Sequence, residues 1–219
     1  MKESLIRQLD MVLVELCEKG VYEGVFPGAV TAVFIKKKGE RKRVIQAVGK
    51  TRIGDTAGRV TKETFFDLAS LTKPLATTLS ILCLIEQGVV KLEDSLDALL
   101  ESKIGPDKKN IKLEELLSHS SGFSPYRPYF ELFKPEVRFN NKKKIIKRIL
   151  NDPLEYEPGT ECRYSDLGFI LLGKIIEIKS GHSLDRFYQE NITAPLGLEE
   201  KLFFLPLPEV QKKNNEKFA

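Results

Sequence analysis

Near the start of this chain lie the only two runs with the residue content of β-strands. Residues 29–35 are rich in Val and Phe, residues 44–48 follow, and the polar stretch 36–42 between them contains Gly39. That pattern predicts a β-hairpin. Ahead of it, Leu5, Leu9, Val12, Leu13 and Leu16 recur at helical spacing until Gly20. Beyond position 66 the periodicities are helical. Two strands do not make an independently stable sheet. The expectation is therefore an α+β fold whose sheet is incomplete in this chain, with its remaining strands in a missing C-terminal segment or on another chain. Three segments follow: 1–65 with the first helix and hairpin, 66–205 as a helical region, and a polar end, 206–219, as the expected truncation point.

Charge and composition narrow the partners. Net charge is +4, with 42% hydrophobic and 30% charged residues, which suits a globular protein. The basic runs Lys36-Lys37-Lys38 and Lys142-Lys143-Lys144 carry no aromatic platform, so nucleic acid is not an expected partner. Cys17, Cys83 and Cys162 are an odd, widely spaced set, not a disulfide framework, and Cys83 falls in an apolar stretch expected to be buried. His119 and His182 have no nearby Cys or His, so neither a metal nor a cofactor is expected. Asp10, Glu15 and Glu18 interrupt any leader core, and no run is long enough to span a bilayer. The compartment these features point to is the cytoplasm. The first helix reads as packed on a sheet in preference to lying on a membrane, because its polar face carries both signs.

Ser70 and Lys73 open the helical region. They stand three positions apart, so on a helix the hydroxyl and the amine share a face. An apolar stretch, 75–85, follows, and Gly88 ends it as a helix C′ residue. Unpaired N–H groups at a helix start favour negative charge and disfavour an ammonium. Such a place suits a serine nucleophile and pushes Lys73 toward the neutral amine that a general base must be. The pair alone also fits a serine near a helix cap beside a solvated lysine. A second grouping, Tyr164-Ser165-Asp166, precedes the apolar stripe of 167–179 and follows the turn at Pro158-Gly159. Its tyrosine can pass protons if neighbouring cations lower its pKa. Equally, Tyr164 can fill a core edge while Asp166 caps the next helix. His119, with Ser118, Ser120 and Ser121, reads as stabilising a turn.

Taken together, Ser70-Leu71-Thr72-Lys73 and Tyr164-Ser165-Asp166 resemble the first two motifs of the serine β-lactamase and penicillin-binding protein superfamily, in its class C β-lactamase-like branch. The stretches Phe26-Pro27-Gly28-Ala29-Val30, Glu86-Gln87-Gly88, Leu116-Leu117-Ser118-His119-Ser120-Ser121-Gly122, Pro158-Gly159-Thr160 and Pro195-Leu196-Gly197-Leu198 match in the same order. The resemblance implies a β-lactamase/transpeptidase-like fold, an antiparallel sheet flanked by helices with a helical region inserted between its strands. It implies a serine hydrolase acting on a small-molecule ester, amide or β-lactam. Ser70 would form the acyl-enzyme, and Lys73 and Tyr164 would be its acid and base, in either assignment. One oxyanion donor would be the Ser70 N–H, the other a later strand.

Two departures qualify that picture. The family's second motif usually ends in Asn, and here Asp166 takes that substrate-binding place. A carboxylate accepts hydrogen bonds but cannot donate to a substrate carbonyl, and it can pair with Lys73, raising the lysine's pKa. The third motif is absent. Lys179-Ser180-Gly181 resembles it but ends a helix. A catalytically silent binding or sensor module of the same fold, or an inactive fragment, is the alternative. A Ser-His-Asp hydrolase is disfavoured because no Gly-x-Ser-x-Gly elbow occurs. The aromatic loop with Tyr126, Tyr129 and Phe130 is a candidate cleft lining.

Overall fold

The computed structural model describes residues 3–132 and 141–205, and these divide into two compact units. One comprises residues up to Leu68 together with Leu205; the other spans Ala69–Phe204. Sequence expectations for 133–137 and for the polar end 206–219 lie outside the described residues.

The first unit is a helix on a hairpin. Helix α1 (Glu3–Tyr22) precedes strands β1 (Gly28–Lys37) and β2 (Glu40–Gly49), paired antiparallel in a register from Gly28↔Gly49 to Lys37↔Glu40. The turn is tighter than the polar stretch suggests. Lys38 and Gly39 alone form it, with φ of 47° and 83°. Two successive left-handed residues match the right-handed twist of a hairpin. Helix α1 does not stop at Gly20 but runs on to Tyr22. Gly20 serves packing instead. A Cβ there would lie 2.6 Å from the Phe26 ring, so glycine admits the ring against the helix. The apolar stripe read from the sequence is split. Cys17 is buried and Leu9 and Leu13 are half-buried, whereas Leu5, Val12 and Leu16 are exposed, as is Phe34 on β1. Among the described residues the sheet has two strands.

The second unit is helical and holds the larger core. A turn at Ala69–Leu71 leads into a widened turn, Lys73–Thr78, and then α2 (Leu79–Glu86). The helix predicted over 75–85 is thus irregular in its first turns, with Pro74 there. Gly88, with φ of 71°, ends it as expected, because the left-handed step is open to glycine without a Cβ penalty. Short helices α3 (Leu96–Leu99) and α4 (Leu113–Leu117), then α5 (Asn141–Asn151), α6 (Asp166–Ser180) and α7 (Leu184–Tyr188) follow. Helix α6 is the hub, packing against α2, α3, α4, α5 and α7. Its residues Leu167, Leu171 and Ile175, with Leu172 and Ile176, form adjacent rows at four-residue spacing, all buried. Two expectations are corrected here. The buried cysteine is Cys17, whereas Cys83 is half-buried. Tyr129 is no cleft residue: it is buried in the core and donates its hydroxyl to Asp152 at 2.7 Å. Lys179-Ser180-Gly181 does end a helix, with Gly181 at φ 72°. Among the described residues no helix is long and apolar enough to cross a membrane.

Because Leu171 has no exposed surface at the centre of this packing, Leu171→Ala leaves a cavity that rigid neighbours only partly fill. The expected cost is about 2–5 kcal/mol, read as a lower urea midpoint with an unchanged slope.

Candidate active site

All four residues singled out from the sequence converge in the second unit. Ala69, immediately before the serine, adopts φ of 44°. A left-handed alanine is a strained step, and it turns the chain so that Ser70 is exposed to solvent. Three residues on, Lys73 brings Nζ to 3.4 Å from Ser70 Oγ. The sharing of one face expected from their spacing is realised, although the turns there are irregular.

Tyr164 and Asp166 arrive from the segment before α6. That segment is pinned through main-chain groups: the Asp166 N–H donates to the Pro125 carbonyl at 2.9 Å, and the Ser165 hydroxyl donates to the Ser124 carbonyl at 2.8 Å. The helix cap is Ser165, whose Oγ accepts from the Gly168 N–H, and not Asp166. Asp166 is left for other work. Its Oδ1 accepts from Lys73 Nζ at 2.6 Å. The Tyr164 hydroxyl donates to Ser70 Oγ at 2.7 Å. Its ring lies under the lysine, with Nζ 4.9 Å from the ring centroid, a cation–π distance.

These contacts shift the two titrations in opposite directions. Burial is the strongest single influence on Lys73 and lowers its pKa. The hydrogen bonds and charges of Asp166 and Tyr164 together outweigh it, so Lys73 is held above the ordinary lysine range. The expected drift of Lys73 toward a neutral amine is thereby reversed, because the carboxylate at 2.6 Å favours the charged form more than the helix start disfavours it. Tyr164 moves the opposite way. Its interaction with Lys73, then its bond with Ser70, hold the phenol below its ordinary range. The rise on Lys73 and the fall on Tyr164 are two sides of one coupling.

Other side chains complete the surroundings. His119 lies 4.7 Å from the Tyr164 ring and 4.9 Å from Phe169, centroid to centroid. In the sequence Phe169 reads only as part of an apolar stripe, and His119 as a turn residue. A cavity of about 530 Å³ opens against Lys73 and Asp166, bounded by Tyr126, Phe169, Ile170 and Ile145. Of the aromatic loop, Tyr126 therefore does line the hollow, and the Phe130 side chain lies outside the described residues. No group of three or more metal-ligating side chains occurs among the described residues.

Known proteins share this arrangement of chain. The beta-lactamase family model matches residues 13–214. An N-acetylmuramyl-L-alanine amidase of Bacillus subtilis is 30% identical over 210 residues, covering 90% of this chain and 46% of its own. The beta-lactamase/D-alanine carboxypeptidase of Yersinia pestis, solved with citrate, superposes with a TM-score of 0.73 at 25% identity, over 96% of this chain and 59% of that one. The octameric penicillin-binding protein homologue of Pyrococcus abyssi gives a TM-score of 0.69 at 27% identity, over 98% of this chain and 47% of that one. This chain spans 35% to 46% of the length of the curated relatives it matches. With its Ser-x-x-Lys and Tyr-x-Asp motifs gathered on one helical unit, and a family match running through nearly its whole length, this chain belongs to the beta-lactamase family, within the serine β-lactamase and penicillin-binding protein superfamily.

Proposed function

We propose that this chain carries the nucleophile and acid–base half of a serine hydrolase site acting on an ester or amide. The observation that supports it most is the 2.7 Å contact between the Tyr164 hydroxyl and Ser70 Oγ, beside a lysine fixed as ammonium by Asp166. In this reading Ser70 Oγ attacks the substrate carbonyl as its proton passes to the Tyr164 oxygen. Lys73 stabilises the phenolate that accepts it, and Tyr164 returns the proton to the leaving alcohol or amine. Water then enters by the reverse path, and the acyl–oxygen bond to Ser70 breaks. Asp166 orients Lys73 through their ion pair and borders the cavity beside it.

The relatives named for amidase and carboxypeptidase activity favour an amide of peptide type. In this reading the Ser70 N–H is one donor to the oxyanion that forms on the attacked carbonyl. A silent binding module is the competing reading, and the Lys73–Asp166 ion pair favours it to the extent that the lysine is no longer free as a base.

Intact mass after incubation with a fluorophosphonate tests the proposal. The expected result is one adduct, mapped by peptide analysis to Ser70 and not formed on the urea-unfolded chain. An unmodified folded chain, or an adduct on another residue, overturns it.

A further inference from the structure

His119 takes no part in the chemistry proposed above, yet its contacts end on the residues that perform it. Its backbone is left-handed, with φ of 60°, an uncommon state for a residue with a side chain. Its carbonyl is held twice, by the Arg163 N–H at 2.9 Å and by the Tyr156 hydroxyl at 3.0 Å. The ring is thereby fixed over the segment that carries Tyr164. Nδ1 accepts from the Ser165 N–H at 3.0 Å. That bond requires an unprotonated Nδ1, so the neutral ring carries its proton on Nε2. The same ring packs between Tyr164 and Phe169, tilted 34° to the first and 35° to the second. One imidazole thus grips the backbone one residue after Tyr164 and also the face of the Tyr164 ring.

Resting on the serine-hydrolase reading, we propose that His119 is the positioning residue of this site: as a neutral imidazole it holds the Tyr164 hydroxyl against Ser70, and gaining a proton releases that hold.

The reason is geometric. A proton on Nδ1 would set an N–H against the Ser165 N–H, two donors 3.0 Å apart with no acceptor between them. It would also add a cation to a site that already holds Lys73. The titratable and charged groups around the ring are Lys73 from the turn after Ser70, Asp166 at the start of α6, and Tyr164 and Arg163 from the segment before it. Tyr156, which bonds the His119 carbonyl, completes the set. Burial first, and Lys73 second, keep the imidazole below its ordinary range, with the Asp166 charge opposing in part. The unfolded chain therefore binds this proton more tightly than the folded site does, and acidification through the imidazole range works against the closed arrangement.

Two substitutions separate this role from plain packing. His119→Asn keeps an oxygen acceptor for the Ser165 N–H and cannot ionise. His119→Phe keeps a ring against Tyr164 and Phe169 and loses the acceptor. The readout is the second-order rate of fluorophosphonate addition to Ser70 from pH 5 to 8, with thermal melts as a check on folding. In the parent the logarithm of the rate falls with slope one as the phenol is protonated, and steepens where His119 takes its proton. Expected for His119→Asn, which keeps the acceptor and loses the ring, is a smaller loss at pH 8 than for His119→Phe, with slope one throughout. Expected for His119→Phe is a loss of roughly tenfold to a hundredfold at pH 8, the size of effect that a small misplacement of a reacting group produces, narrowing in acid where the parent's own hold is released. A His119→Phe protein that melts like the parent and reacts as fast overturns the role of His119 alone. An unreactive parent overturns the nucleophile reading and this inference with it. Independently of reactivity, imidazole ¹⁵N spectra, assigned with His182→Gln, are expected to show the Nε2–H tautomer; an Nδ1–H tautomer also overturns the proposal.

Discussion

Tyr164→Phe is expected to slow acylation of Ser70 by about 10²–10⁴-fold, the range spanned by loss of a positioned general base, with Ser70→Ala as the zero of the scale. The substitution removes one oxygen and little else. The phenylalanine ring keeps the contact with His119, and Tyr164 is half exposed, so its hydroxyl contributes no buried hydrogen bond to stability. What is lost is the group 2.7 Å from Ser70 Oγ that Lys73 holds below its ordinary range. The sign of the pH dependence follows from that direction. A protonated phenol cannot accept the serine proton, so the parent's rate climbs with pH until the phenol has ionised, and the plateau begins below the ordinary tyrosine range. Tyr164→Phe removes that climb. Fluorophosphonate addition followed by mass from pH 6 to 10 measures both features. Were Lys73 the base, Tyr164→Phe would stay within about tenfold of the parent and keep its climb, since lysine would supply it. That result sinks the tyrosine-base reading.

The parts of this architecture that are legible in the sequence are those written in local pattern. Helix α6 follows from the apolar stripe of 167–179 and ends at Gly181. The hairpin follows from two β-rich runs around Gly39. That Ser70 and Lys73 meet Tyr164 and Asp166, in hydrogen-bonded pairs 94 and 93 positions apart, is implied by the family resemblance and not by local pattern. What escapes is whatever a contact distant in sequence decides. The Phe26 ring explains Gly20, and nothing near Gly20 hints at it. The pairing of Asp166 with Lys73 across 93 positions is an exception, open to the sequence only because the resemblance sets Asp166 in the place of the family's Asn. Tyr129 reads as a loop aromatic until Asp152 and the core around α6 take it in. Residues 89–112 have too little periodicity to reveal α3, although Leu96 and Leu99 are completely enclosed. The role of His119 is invisible for the same reason, since its bond to the Ser165 N–H spans 46 positions.

Asp166→Asn carries the other large expectation, because it alters recognition and electrostatics together. As a carboxylate, Asp166 offers acceptors only, one of them taken by Lys73 at 2.6 Å. As an amide it would still accept from the ammonium through its oxygen, and it would turn an N–H toward the cavity it borders. A β-lactam presents carbonyl oxygens, so a donor at this position gains a hydrogen bond where the carboxylate opposes one oxygen with another. The expected gain in the rate of penicilloyl adduct formation is at least about tenfold, the worth of one hydrogen bond made in place of a repulsive contact. Lys73 shifts at the same time. Burial, its strongest influence, already lowers its pKa, and the opposing carboxylate is gone. Lys73 in Asp166→Asn therefore falls below its parent value and loses its proton at lower pH. The ammonium is what supports the Tyr164 phenolate, so the alkaline fall in rate moves to lower pH as well. Stability changes in the same sense. In the parent, Lys73 is raised above its unfolded value, so its contribution is present below the unfolded lysine pKa and is lost as pH rises through the folded one. Removing Asp166's charge removes that contribution, and the melting temperatures of parent and variant are expected to differ at neutral pH and to converge in strong alkali. Intact-mass kinetics with benzylpenicillin, run beside the fluorophosphonate across pH, separate the two effects. If Asp166→Asn leaves both penicillin acylation and the alkaline limb where they were, then Asp166 neither faces the substrate nor sets the charge of Lys73, and its ion pair with Lys73 serves the fold alone.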